Sequence, residues 1–228
     1  MSLTLRQVLD LVSTTSGMLA PTTWTGSNNV ADKQVVGLAN LAILYLREKR
    51  FQAQIRSYTY TLSAATIYAP PADLLAFEPD TMWAQNTIWK VDFPTDPTAW
   101  AYLKASAGPA GVVIQARYIN NYIEVYQPTA DIQIGVEYYT KDCVISGGVP
   151  QELFTTDNDT SIFDDSLMIA EIKWRYKKEK GFPDWEVDFK LAQNQLNTVL
   201  GRDRAAQTIN PVDPYSPSPY ANLWAFDT

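Results

Sequence analysis

Residues 164–206 constrain this chain more than any other stretch. They lead from Asp164-Asp165-Ser166 into an amphipathic run ending at Lys180-Gly181, pass through Phe182-Pro183-Asp184, and enter a second amphipathic run at Trp185. Met168, Ile169, Ile172 and Tyr176 make one apolar stripe, and Trp185, Phe189, Ala192, Leu196 and Val199 make another, both at helical spacing. Glycine ends one helix, and Pro-Asp opens the next. A connection this short predicts two antiparallel helices with aromatic residues between them. The pattern is one of packing and carries no chemistry.

The rest of the chain alternates in character. Ser2 or Thr4 can cap a first helix, whose stripe is Leu5, Val8, Leu9 and Val12 and whose end is Gly17. Residues 21–29 read as a loop. A second helix is expected from Asp32 to Arg50, with Leu38, Leu41, Ala42 and Tyr45 on its buried face. Its closing Arg47, Lys49 and Arg50 suit the negative end of a helix dipole, or a phosphate contact. Alternation then takes over: Ser57–Leu62, Ile67-Tyr68 and Ile88–Phe93 read as strands, with one helical turn at Ala72–Leu75. Asp96-Pro97 predicts a helix carrying Trp100 and Leu103 and ending near Gly108-Pro109. Val112–Tyr118 and Tyr122–Tyr126 flank Ile119-Asn120-Asn121, which predicts a tight hairpin, and Ile132–Tyr138 reads as the last clear strand. From Asn210 the chain holds Pro211, Pro214, Pro217 and Pro219 with Tyr215, Tyr220, Leu223, Trp224 and Phe226. Proline excludes a regular helix there, and the spaced aromatics predict an arm that docks on another subunit.

This order predicts an α+β chain, mainly α: a bundle of long helices, two N-terminal and two C-terminal, with an inserted β-rich region and an extended C-terminal arm. The expected domains are a helical core from 1–54 plus 160–208, a β-rich insertion over 55–159, and the arm over 209–228.

Composition narrows the chemistry. Histidine is absent, which removes Ser-His-Asp and Cys-His catalysis and histidine-ligated metals. Cys143 is the only cysteine, so no intrachain disulfide forms. Neither a phosphate-binding glycine loop nor a dinucleotide fingerprint occurs. Asp157, Asp159, Asp164 and Asp165 invite a calcium reading, but they lack the EF-hand glycine and glutamate and fit a solvated helix start better. Trp83, Trp89 and Trp100 could stack on sugars, but aromatic residues in a small mixed β region more often serve a core or an interface. Nothing places two carboxylates in one cleft for a glycosidase. No apolar run spans a bilayer, and no signal peptide is expected at the N-terminus. The net charge of -7 disfavours tight binding of DNA phosphates; it is compatible with lining a channel through which DNA slides, but informs first of all about solubility.

Pro71-Ala72-Asp73 after a β-rich run, the segment Asp164-Asp165-Ser166 through Trp174-Arg175-Tyr176-Lys177 to Lys180-Gly181, the long helix after it and the trailing arm together resemble the head-to-tail adaptor (head completion, or connector) proteins of tailed phages, podovirus-type. The resemblance implies a virion structural protein at the head–tail junction, made in the host bacterial cytoplasm, with no enzymatic role, no cofactor and no metal. It implies a homo-oligomeric ring of about twelve copies beneath the portal protein. That ring would extend the DNA ejection channel, pass DNA without sequence-specific contacts, touch no membrane, and give tail, nozzle or fibre proteins a platform. Trp174, Tyr176, Trp185 and Phe189 would mark the ring's core helices, and Tyr215, Tyr220, Leu223, Trp224 and Phe226 the partner-binding arm. The reading from the residues alone keeps an alternative: a glycan-binding or host-attachment module of a virion using Trp83, Trp89 or Trp100.

Overall fold

A computed structural model describes residues 2–63, 65–85, 91–93, 96–106, 114–126, 128 and 131–208, the backbone alone at residues 106 and 204–208. Helix α1 (Leu5–Ser16) starts at a capping box, in which the Gln7 amide donates to Thr4 Oγ1 and the Thr4 amide to Gln7 Oε1. It stops at Gly17, whose φ of 70° is left-handed. Helix α2 (Val30–Arg47) is capped by Asn29. It ends earlier than its sequence pattern suggests, because Arg50 itself takes a positive φ of 57°. Its buried face is Val35, Leu38, Ala39, Ala42, Ile43 and Leu46, whereas Leu41 faces solvent.

After a 3-10 turn at Gln52–Gln54 come β1 (Ile55–Thr61), β2 (Ile67–Tyr68), β3 (Leu74–Phe77) and β4 (Trp83–Ala84). Helix α3 (Pro97–Ser106) follows, opened by Asp96, whose carboxylate accepts the Thr98 and Ala99 amides. Next are β5 (Gln115–Ile119), β6 (Tyr122–Tyr126) and β7 (Gln133–Thr140), then β8 (Val144–Ser146), β9 (Val149–Gln151) and β10 (Thr160–Ser161). Two long helices close the described chain, α4 (Asp165–Glu179) and α5 (Trp185–Thr208). Two-residue hairpin turns join β5 to β6 at Asn120-Asn121 and β8 to β9 at Gly147-Gly148, all four at positive φ.

Strand β7 organises the middle of the molecule. It runs antiparallel to β1 on one edge and to β4 and β3 on the other. A second sheet is ordered β2-β6-β5, and a third β10-β8-β9. The first two close on a core of Tyr60, Leu62, Met82, Val91, Phe93, Ala116, Ile123, Val125, Ile134 and Val136. The other core joins α1, α2, α4 and α5, and takes in Cys143, Val144, Phe154 and Phe163 from around the third sheet.

The expected bundle of long helices is therefore corrected. Among the described residues the fold is α+β, with five helices and ten strands in three sheets, 42% helical and 23% strand. Two sheets hold a core with no helix of the bundle in it, and the third sheet completes the helical core. The sequence pattern missed this because most of the overlooked strands are two to four residues long and span too few residues to show a period. Leu74 and Leu75, expected in a helical turn, lie in β3, held to β7 by the Leu74↔Thr140 register. Ile132–Tyr138 is not the last strand, since β8, β9 and β10 follow. Of the expected strand Ile88–Phe93, only residues 91–93 are described, and Asp92 makes an isolated bridge to Gln115.

Candidate interaction surfaces

The α4–α5 hairpin is built from its turn outward. The Phe182 amide donates to the Lys177 carbonyl at 2.9 Å and the Gly181 amide to Lys178 at 3.1 Å. Those two bonds, with Gly181 at a φ of 73°, form a Schellman motif. The apolar contact that accompanies such a turn is Phe182 against Tyr176, ring centroids 6.4 Å apart. At the far end Asp164 caps α4, accepting the Ser166 and Leu167 amides at 2.9 and 3.1 Å. The Ser166 hydroxyl and those amides hold the Asp164 carboxyl below its usual range despite its desolvation.

Between the helices, Trp174 meets Phe189 edge-on at 5.0 Å and Trp185 at 6.5 Å. Lys178 lies 5.0 Å over the Trp185 ring, and Arg175 lies 4.5 Å over Trp174 and 5.0 Å over Tyr45 of α2. Arg175 also pairs with the fully buried Glu171, which accepts the Trp174 indole N–H at 2.9 Å. Lys173 and Lys177 of α4 grip Asp188 of α5 at 3.1 and 2.6 Å, and Lys177 also pairs with Asp184. Burial would raise the Asp188 carboxyl, but the two lysines outweigh it and lower its pKa.

Of the four side chains expected to mark the ring helices, Trp174, Trp185 and Phe189 therefore form one half-open cluster, and Tyr176 turns into the core. On the face of α5 turned away from this cluster Val187 (60%) and Leu191 (58%) are exposed, and Phe182 (40%) is exposed at the tip of the hairpin. The stripe reading missed Val187 and Leu191, because they lie off the periodic face that marks the core. Tyr215, Tyr220, Leu223, Trp224 and Phe226 lie outside the described residues.

The acidic loop before α4 is not a solvated helix start throughout. Asp159 is fully buried and accepts the Thr155 and Thr156 amides, Thr156 Oγ1 and the Gln151 amide group, at 2.6 to 2.8 Å. Burial alone would raise its pKa, but bonds from Ser146, Thr156 and Thr155 hold it at about 2. Asp157 accepts the Trp24 and Thr25 amides and Thr25 Oγ1, pinning the loop after α1. These oxygens face N–H and O–H donors, which is chemistry for stabilising a carboxylate and not for calcium. Among the described residues no cluster of three or more metal-ligating side chains occurs.

The basic residues after α2 are engaged within the chain: Arg47 pairs with Glu48 and Glu152, Lys49 lies 4.5 Å over Tyr45, and Arg50 lies 5.9 Å over Tyr139. Cys143 is buried, its thiol pushed up to about 12 by that burial. Trp100 is only 2% exposed and packs between Tyr126 and the Arg117 guanidinium, so no sugar reaches it. Trp83 is half-buried beside a groove of about 200 Å³ lined by Thr59, Thr81, Gln85 and Glu137, and Trp89 lies outside the described residues. Compared with known proteins, the chain matches no family model and no curated protein.

Proposed function

We propose that this protein is a structural head-to-tail adaptor of a tailed phage. In this reading its copies form a ring under the portal, extend the DNA channel and offer the tail its attachment platform. The observation that carries the reading is the α4–α5 hairpin. A rigid turn, two tryptophans, a phenylalanine and stacked cations leave the edge of Phe189 and the tip residue Phe182 exposed, while Val187 and Leu191 are exposed on the opposite face of α5. Aromatic and arginine anchors beside exposed apolar side chains are the composition of a protein interface. The hairpin is also firmly held from within, by the Schellman turn and the lysine pairs to Asp188, so little conformational freedom is lost on docking. The sequence of 209–228, with five spaced apolar anchors and no basic residue, supports an arm that grips the portal or a neighbouring copy.

Electron microscopy of the full chain mixed with the portal protein of its own phage tests this reading. Closed rings seated on the portal are expected, and an absence of rings on that portal overturns it. A second reading, a glycan-binding module, draws on one feature, the groove that sets Trp83 beside the amide of Gln85 and the carboxylate of Glu137. Quenching of tryptophan fluorescence by host glycans, lost in Trp83→Ala, would favour that reading over the adaptor.

A further inference from the structure

Among the described residues, most sheet edges are protected. The β3 edge is broken by a register shift between Leu74 and Ala76 and flanked by Pro71 and Pro79. Strand β5 is met by Asp92, whose carbonyl accepts the Ala116 amide at 3.0 Å. The other outer strands are two or three residues long. Strand β1 differs: it has seven residues, Ile55 to Thr61, with no proline, glycine, bulge or lysine. Such an edge is a template for another strand unless something covers it.

The ladder shows which groups it offers. The Leu62 amide donates to the Ile132 carbonyl at 2.8 Å, and the register continues with Tyr60↔Ile134, Tyr58↔Val136 and Arg56↔Tyr138. Alternation then turns the backbone groups of Arg56, Tyr58 and Tyr60 toward β7 and those of Ser57, Thr59 and Thr61 away from it. Ser57, Thr59 and Thr61 are exposed, and their outward amides and carbonyls bond to no other described residue.

We propose that this edge pairs antiparallel with the β1 edge of a second copy, about a two-fold axis at Thr59. The sequence is complementary to itself in that register. Thr59 meets Thr59 of the second copy, and Ser57 meets Thr61, each pair exchanging both backbone bonds through the outward groups. On the other face Tyr58 meets Tyr60 of the second copy, extending the edge-on Tyr58–Tyr60 contact already present at 4.7 Å. The one charged side chain of the strand, Arg56, falls opposite Leu62, so no like charges face each other. The interface is self-complementary, as a two-fold contact requires. A cyclic ring points every copy the same way, so this pairing belongs to the free chain and does not rest on the adaptor reading.

The test uses the full chain without portal, in analytical ultracentrifugation and amide hydrogen exchange across concentration. A strand-sized interface is at the weak end, so dimer is expected to appear at roughly 10–100 μM. With it, the Ser57, Thr59 and Thr61 amides should gain protection, while those of Arg56, Tyr58 and Tyr60 are protected at every concentration. Thr59→Lys sets two ammonium groups opposite each other at the axis and removes the exposed bond from the Gln85 amide to Thr59 Oγ1, so it should leave a folded monomer whose melting temperature falls by at most a few degrees. A wild-type chain still monomeric at about 500 μM overturns the proposal. So does a dimer that survives Thr59→Lys, or one lost in Val187→Asp/Leu191→Asp and kept in Thr59→Lys, which would place the contact on the helical hairpin.

Discussion

Asp159 shows how much one side chain can fix. It is fully buried and saturated with donors, and its carboxyl is held at about 2 against an ordinary 3.8. A depressed carboxylate contributes stability that is fully present above the unfolded pKa and is lost as pH falls through the folded one. The contribution here is roughly 2 kcal/mol, lost between about pH 4 and pH 2. Asp157, Asp164, Asp188 and Glu124 are shifted the same way and steepen that acid limb. Asp159→Asn turns an amide group toward Thr155 and Thr156 donors and should cost about 2 kcal/mol at pH 7. It should also flatten the limb between pH 4 and 2, both read from urea unfolding across pH. The aspartates were visible in the sequence as an acidic loop. That Asp159 is an interior anchor was not, because the Ser146 and Gln151 donors come from the β8–β9 hairpin.

At the scale of elements, the α4–α5 hairpin was the most legible part of the chain. Its signals are local: an aspartate cap, two stripes of period 3.6, and a glycine that must turn left-handed. A Cβ at Gly181 would meet no neighbour within 4 Å, so its φ of 73° is the whole reason for glycine there. Gly181→Ala should therefore cost about 1 kcal/mol through backbone strain alone, with the hairpin's contacts intact. Thermal unfolding measures the cost, and unchanged near-UV dichroism of Trp174 and Trp185 checks that the aromatic packing survives. The Asn120-Asn121 turn was legible for the same reason. The short strands were not: Trp83-Ala84 and Thr160-Ser161 become strands only because β7 and β8 lie beside them.

For the molecule as a whole, the adaptor reading makes the last residues the grip of the assembly. Removing 210–228 is expected to leave the melting temperature within about 1 °C, because in this reading the arm's anchors bind a neighbour and not the chain's own core. Rings on the portal should be lost. Size-exclusion chromatography with light scattering, with and without portal, reads both, and normal assembly by the truncated chain would remove the arm from the account. The sequence by itself determined where the long helices lie, the caps of α1, α3 and α4 and most of the apolar stripes, because each follows from backbone sterics and spacing within a few residues, though it misplaced both ends of α2 and the side of Leu41. It also determined which chemistry the chain lacks the side chains for, since no histidine and a single cysteine are facts of composition. Only the tertiary structure decided that the helices share their core with a sheet, that Trp100 is interior while Val187 and Leu191 are not, and that no described strand but β7 pairs with β1. Those outcomes depend on which distant segments come to lie side by side, and burial and strand pairing are properties of the pair, which neither segment carries alone.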